Sequence, residues 1–231
     1  LICALFPRAY LDPNREPYEL DPKMFADPLP SFVNSRSARV SVGLGTIARV
    51  VSNGAEIYRK KLSFAEVERR IDRLYFPYHA MIKQLLVATR AKFGAAVLVD
   101  CHSMPSTGTA IEGDSGRRRS DFVLGDRFGT SCDPAIVDLF ENSLTAMGYS
   151  VARNDPYAGG FVTQNYGRPN SGIHALQVEV NRALYMDEST ITRASGMAKL
   201  VEDLGKLIAS LAIVDPRALR APPQVFADAA Q

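Results

Sequence analysis

Residues 95–106 read "AAVLVDCHSMPS", directly after Gly94. The opening run is continuously apolar, the pattern of a short parallel strand buried on both faces. Asp100, Cys101, His102 and Ser103 then arrive together, a cluster of groups that are costly to bury without partners. In extended backbone Asp100 and His102 project to one side and Cys101 to the other. A core strand that ends this way carries a carboxylate and an imidazole to the carboxyl edge of a sheet, where α/β proteins bind ligands.

On the N-terminal side of this strand, Ser63 and Glu66 have capping-box spacing, and Val67, Ile71, Leu74, Tyr78, Ile82 and Leu85 recur at helical intervals up to Phe93. Pro77 is expected to kink this helix or split it in two. Further back, "VSVGLGTIARVV" at 40–51 reads as a strand bent at Gly43 and Gly45. "LICALF" at 1–6 reads as an apolar strand that leads into a loop rich in Pro, Asp and Asn.

On the C-terminal side, residues 104–120 form a polar loop in which "RRR" at 117–119 reads as solvated, and "DFVLGD" follows as a further strand. Asp133 caps a helix that runs through Met147 to Gly148. "YSVAR" restores a strand before the Gly159-Gly160 loop, "HALQVEVN" at 174–181 alternates, and Ser189 to Leu211 is expected as one amphipathic helix. Strands alternating with helices imply one α/β domain over residues 1–214, a mixed, mostly parallel sheet flanked by helices on both faces. Residues 215–231, with Pro and Ala prominent, are expected as a surface arm or a partly disordered tail.

The chain has 231 residues, 46% of them hydrophobic, enough for a substantial core. Its net charge is +2, from 27 basic and 25 acidic residues, so neither nucleic acid nor an anionic membrane is indicated as the main partner. No run approaches the roughly 20 apolar residues of a membrane span, and no signal-peptide pattern opens the chain; the cytoplasm is the expected location. Cys3, Cys101 and Cys132 show no paired spacing and are read as reduced. The abrupt apolar start without Met is read as a natural protein that extends further in the N-terminal direction.

Three polar groupings carry chemistry. His102 suits metal ligation with a neighbour fixing its second nitrogen, or a plain hydrogen bond in a turn. Along "HALQVEVNR", Gln177, Glu179 and Asn181 share one face while Leu176, Val178 and Val180 share the other. A carboxylate in such a strand is either a general base with a tuned pKa or half of a buried ion pair with an arginine. His174 has the opposite parity and does not face Glu179. In "RAYLDPNR", Asn14 and Arg15 suit a clamp for a small acidic molecule, or a solvated turn with Asx hydrogen bonds. His79, beside Pro77, is as well suited to a structural role as to a site.

The ordered stretches "RAYLDPNR", "PYH", "FGAAVLVDCHSMPS", "DFVLGDRFGTSC" and "GIHALQVEVNRALYM" together resemble the N-formylglutamate amidohydrolase (deformylase) family over almost the whole chain. More remotely, "DPNR", "DCHS" and "VEVN" are similar to stations of zinc carboxypeptidases and aspartoacylases. The resemblance implies a zinc-carboxypeptidase-like fold and hydrolysis of N-formyl-L-glutamate, or a related N-acyl amino acid, to formate and the amino acid, within histidine degradation. It implies His102 as a ligand of one zinc or other divalent transition metal ion, with the remaining ligands expected upstream of the "DPNR" loop, outside this sequence. It makes Glu179 the general base and acid, and it gives the substrate carboxylate to Asn14 and Arg15. Arg8 falls near the carbonyl-polarising arginine of the aspartoacylase-like relatives, displaced by one residue. A second substrate carboxylate is expected at Arg168 and Tyr157, beside the Gly159-Gly160 hinge. A peptide-cleaving carboxypeptidase or amidase, and a non-catalytic carboxylate-binding protein, are the alternative readings.

Overall fold

Two nine-residue strands form the centre of the molecule. In the computed structural model, which describes residues 1–51, 54–109 and 114–219, strand β1 spans Ala96–Met104 and strand β4 spans Ile173–Asn181. They pair in parallel along their full lengths, so that Asp100 lies opposite Gln177 and His102 opposite Glu179. Strand β1 thus runs four residues past Asp100. The polar cluster does not end the strand but sits within its C-terminal half, its backbone hydrogen bonds met by the ladder.

Strand β2 (Phe122–Gly125) pairs antiparallel with β4, and β3 (Val151–Arg153) pairs parallel with β2, giving the order β1-β4-β2-β3. The sheet is mixed and mostly parallel, as expected. One of its faces packs Leu176 and Val178 of β4 and Phe122 and Leu124 of β2 against helices α4 (Pro134–Ala146) and α6 (Met197–Ala212). Asp133 caps α4 by accepting from the Ala135 N–H at 2.9 Å. The opposite face is covered at the amino ends of β1 and β4 by α3 (Phe76–Phe93) and by α5 (Phe161–Tyr166), around Ile82, Leu86 and Ala96. Toward the carboxyl ends that face turns polar.

The helix expected over 63–93 forms with Ser63 as its cap. Helix α2 (Phe64–Arg70) passes through a wider π-helical turn at Ile71–Tyr75 into α3, which places Pro77 in the first turn of α3. In that π turn the Phe76 N–H reaches back to the Ile71 carbonyl, and the wider turn lets the chain carry Pro77, which has no N–H to donate, without a break.

Other expectations give way to local chemistry. Residues 1–6 form no strand; Leu1 and Leu5 are exposed, and Ile2 packs against the Ile82 and Leu86 cluster without joining the sheet. In place of a strand at 40–51 stands a short helix α1 (Ala38–Ser41), capped by Ser37 and ended by Gly43 at φ +78°, followed by isolated bridges. The helix expected from Ser189 begins at Met197, because residues 186–193 fold into a small hairpin, β5 (Met186–Asp187) with β6 (Thr192–Arg193). Leu219, expected in a surface arm, is buried in the α4 and α6 core, and its carbonyl accepts from His174 Nε2 at 2.8 Å. Residues 220–231, the rest of that tail, lie outside the described residues. Among the described residues no helix is long and apolar enough to cross a membrane.

Candidate functional site

Above the polar half of β1 and β4 lies a cavity of about 570 Å³, within the size range of small-molecule sites. The sheet supplies its floor. His102 and Glu179, register partners on adjacent strands, both line it, with Gln177 one pleat behind Glu179. Glu179 is buried, and its Oε1 accepts from Gln177 Nε2 at 3.0 Å. Burial pushes the Glu179 carboxyl up from its ordinary value, opposed by the charges of His102 and Arg8. A carboxylate kept basic, dry on one side and open to a cavity on the other, is suited to accepting a proton.

His102 is held by two neighbours at a single nitrogen. Its Nε2 lies 2.9 Å from Asp100 Oδ2 and 3.0 Å from Asn14 Nδ2. A carboxylate only accepts and an amide N–H only donates, so a protonated Nε2 serves Asp100 and a bare one serves Asn14. Burial disfavours the imidazolium, but the hydrogen bond and charge of Asp100, with Glu179 behind it, outweigh that cost and raise the His102 pKa.

The loop over residues 8–15 forms one wall. It is seated on a second apolar cluster containing Leu11, Leu20, Ile47, Val67 and Tyr75, and is pinned by His79, whose Nε2 donates to the Pro13 carbonyl at 2.9 Å. A carbonyl only accepts, so a neutral His79 carries its proton on Nε2; its Nδ1 lies 2.8 Å from the Tyr166 hydroxyl, which also donates to the His79 carbonyl at 3.1 Å. Burial lowers the His79 pKa, consistent with this neutral form. His79 is therefore structural.

Asp12 organises the arginines of the same loop. It pairs with Arg8 at 2.7 Å, stands 3.8 Å from Arg15, and accepts from the Asn14 N–H at 2.9 Å. Burial alone would raise its pKa; Arg8 and Arg15 reverse that and hold it below the usual value. Arg15 donates from Nε to the Leu44 carbonyl and from Nη1 to the Asn14 carbonyl, which fixes the guanidinium and leaves its other N–H groups to the cavity. Asn14 is buried and more engaged than a free clamp: its amide oxygen accepts from the Val162 N–H at 2.8 Å while its nitrogen faces His102.

The opposite wall comes from residues 156–160, which cross the sheet above Gly125. A Cβ on Gly125 would meet the backbone of Ala158 and Gly159 at 2.8 Å, and one on Gly160 would meet the Asn14 amide at 2.5 Å. Glycine at both points lets this segment close down on the site. Tyr157 lines the cavity, its hydroxyl accepting from Arg119. Arg119, read as solvated in "RRR", is instead buried and paired with Asp114 at 3.0 Å. Arg168 is placed elsewhere. It lines a separate cavity of about 360 Å³ with Arg127, and its Nη1 donates to the carbonyls of Gln164 and Gly167.

A catalytic zinc takes about three protein ligands. Among the described residues no three His, Cys, Asp or Glu side chains are grouped so as to hold a metal ion, and His102 Nε2 is engaged by Asp100 and Asn14. These residues do not by themselves fit a zinc site.

Fold and cavity define an α/β protein with an arginine-rich, small-ligand site on the polar half of its central parallel strand pair. The chain belongs to the N-formylglutamate amidohydrolase family, whose profile matches residues 1–186. It is 36% identical over 140 residues to an N-formylglutamate deformylase of Pseudomonas aeruginosa PAO1, covering 59% of this chain and 51% of that protein. With the N-formylglutamate deformylase of Pseudomonas putida it shares 32% over 148 residues, 63% of this chain and 54% of the relative. The chain thus spans about half the length of these curated relatives. The crystal structure of N-formylglutamate amidohydrolase from Ralstonia eutropha JMP134 superposes with a TM-score of 0.85 at 42% identity, covering 92% of this chain and 76% of that one.

Proposed function

We propose that the chain carries the catalytic base and the carboxylate-binding wall of an N-formyl-L-glutamate amidohydrolase. The observation that carries this reading is the registered pair His102 and Glu179, side by side in a cavity that also presents Arg8 and Arg15. Family membership and the names of the relatives support the substrate.

In this reading the substrate α-carboxylate rests on the free N–H groups of Arg15, a pairing suited to a planar anion. Glu179, steadied by Gln177 on one oxygen, takes a proton from a water with the other as that water attacks the formyl carbon. Arg8, half-exposed and tethered by Asp12, faces the developing oxyanion. The proton passes from Glu179 to the leaving nitrogen as the C–N bond breaks, giving formate and L-glutamate. Asp100 and Asn14 hold the imidazole of His102 toward the same space.

We also propose that His102 is this chain's contribution to a divalent-metal site whose other donors are not among the described residues. Elemental analysis of the purified protein and of His102→Ala tests it: metal should accompany the first and be lost from the second. A second functional reading, a carboxylate-binding protein without turnover, rests on the arginines that line the same cavity.

Formate release from N-formyl-L-glutamate and N-formyl-L-glutamine, measured beside release of free amine from a short unformylated peptide, separates these readings. Turnover of the first substrate is expected. Cleavage of the peptide alone would support a carboxypeptidase, and saturable binding without formate would support the non-catalytic protein.

A further inference from the structure

The proposed substrate has two carboxylates, and Arg15 accounts for one. The cavity lining holds four arginines, Arg8, Arg15, Arg39 and Arg182, against two carboxylates, Asp12 and Glu179. Three of the four are committed. Arg8 is paired with Asp12, Arg15 is fixed by two carbonyls, and Arg182 Nε donates to Ser103 Oγ at 3.3 Å. Arg39 pairs with no carboxylate among the described residues, although it faces the cavity.

Its placement is built rather than incidental. Arg39 sits in the four-residue helix α1, whose cap Ser37 accepts from the Val40 N–H at 3.0 Å and also donates to the buried carboxylate of Glu19. The Leu44 peptide then joins the two cations: its N–H donates to the Arg39 carbonyl at 2.8 Å, and its carbonyl accepts from Arg15 Nε at 3.2 Å. The Arg39 charge lies close enough to Arg15 to add to burial in lowering the Arg15 pKa. Leu44, Ala48 and Val50 line the same cavity and suit the methylenes of an acyl-amino-acid side chain. A pocket with surplus positive charge, two arginines tied to one leucine backbone and apolar residues in the same lining matches a molecule with two carboxylates separated by a few carbons.

We propose that Arg39 is the specificity-determining residue of this site, binding the side-chain carboxylate of a dicarboxylic N-acyl amino acid while Arg15 binds the α-carboxylate. The inference rests on the function proposed above and adds the residue that would select glutamate over glutamine.

The test is calorimetric binding of N-acetyl-L-glutamate and N-acetyl-L-glutamine, probes that differ in side-chain charge, to the wild-type chain, Arg39→Met and Arg39→Lys. The wild type should prefer the dianion by about 30-fold, the range of one charge-assisted pair. Arg39→Met should bring the two affinities within about 3-fold by weakening only the glutamate probe, and Arg39→Lys should fall between, because a lysine keeps the charge and loses the fork. A preference that survives Arg39→Met overturns the assignment, including the case in which Arg182→Met removes it instead. Equal binding of both probes by the wild type removes the second subsite but leaves the first. A wild type that binds neither probe removes the proposed function itself.

Discussion

The two sides of strand β4 are built from adjacent residues and do opposite work. Leu176 and Val178 face α4 and α6 in an apolar layer, where burial is favourable and every neighbour is interchangeable in kind. Gln177 and Glu179 face the cavity, where burial is costly and each polar atom has a specific partner or an opening. The first side holds the strand in register. The second side uses that register to set Glu179 beside His102. Stability and chemistry are thus separated by the pleat of one strand, and substitutions on its two sides should differ in sign as well as size.

The largest expected stability change is on the apolar side. Leu176→Ala, at a fully buried position, should cost about 3 kcal/mol in denaturant unfolding, through lost transfer energy and the cavity left behind. Next comes the wall that positions the arginines: Asp12→Asn should cost about 2 kcal/mol at neutral pH, the scale of hydrogen bonds to a charged group. Since folding holds the Asp12 carboxyl below its ordinary value, its contribution is complete above the unfolded carboxylate's pKa of about 3.9. It is lost as pH falls through the lower folded value, so the gap between wild type and Asp12→Asn should close in acid.

The smallest change should have the opposite sign. Glu179 has a raised pKa in the folded chain, so its ionised form is disfavoured by folding above the unfolded carboxylate's pKa. Glu179→Gln should therefore gain roughly 1 kcal/mol at neutral pH, as substitutions that relieve a strained functional site commonly do. A loss of stability comparable to that of Leu176→Ala would mean that the two sides of β4 are not distinct.

Much of this division is legible in the sequence, because a strand's alternation is local. The parity of Gln177 and Glu179 against Leu176 and Val178, and of Asp100 with His102, follows from the pleat alone, and the structure carries both. What escapes sequence reading depends on distant partners. Arg119 looks solvated in a run of three arginines until Asp114 and Tyr157 close around it. Leu219 looks like part of a loose tail until His174, remote in sequence, accepts its docking. Arg39 was concealed by the β-branched character of residues 40–51; only Ser37 as a cap and the left-handed turn at Gly43 reveal a helix there. Arg168 follows Gly167 around the end of α5 and opens onto the separate cavity, a path that spacing from the Gly159-Gly160 hinge does not disclose.

The most direct measurement compares kcat/KM for N-formyl-L-glutamate between the wild-type chain and Glu179→Gln, with thermal melting recorded on the same samples. A loss of about 10³-fold is expected, within the range of general acid and base catalysis, without any loss of folded stability. Comparable turnover by the folded Glu179→Gln protein would contradict it, because the carboxylate on the polar side of β4 would then not be the base.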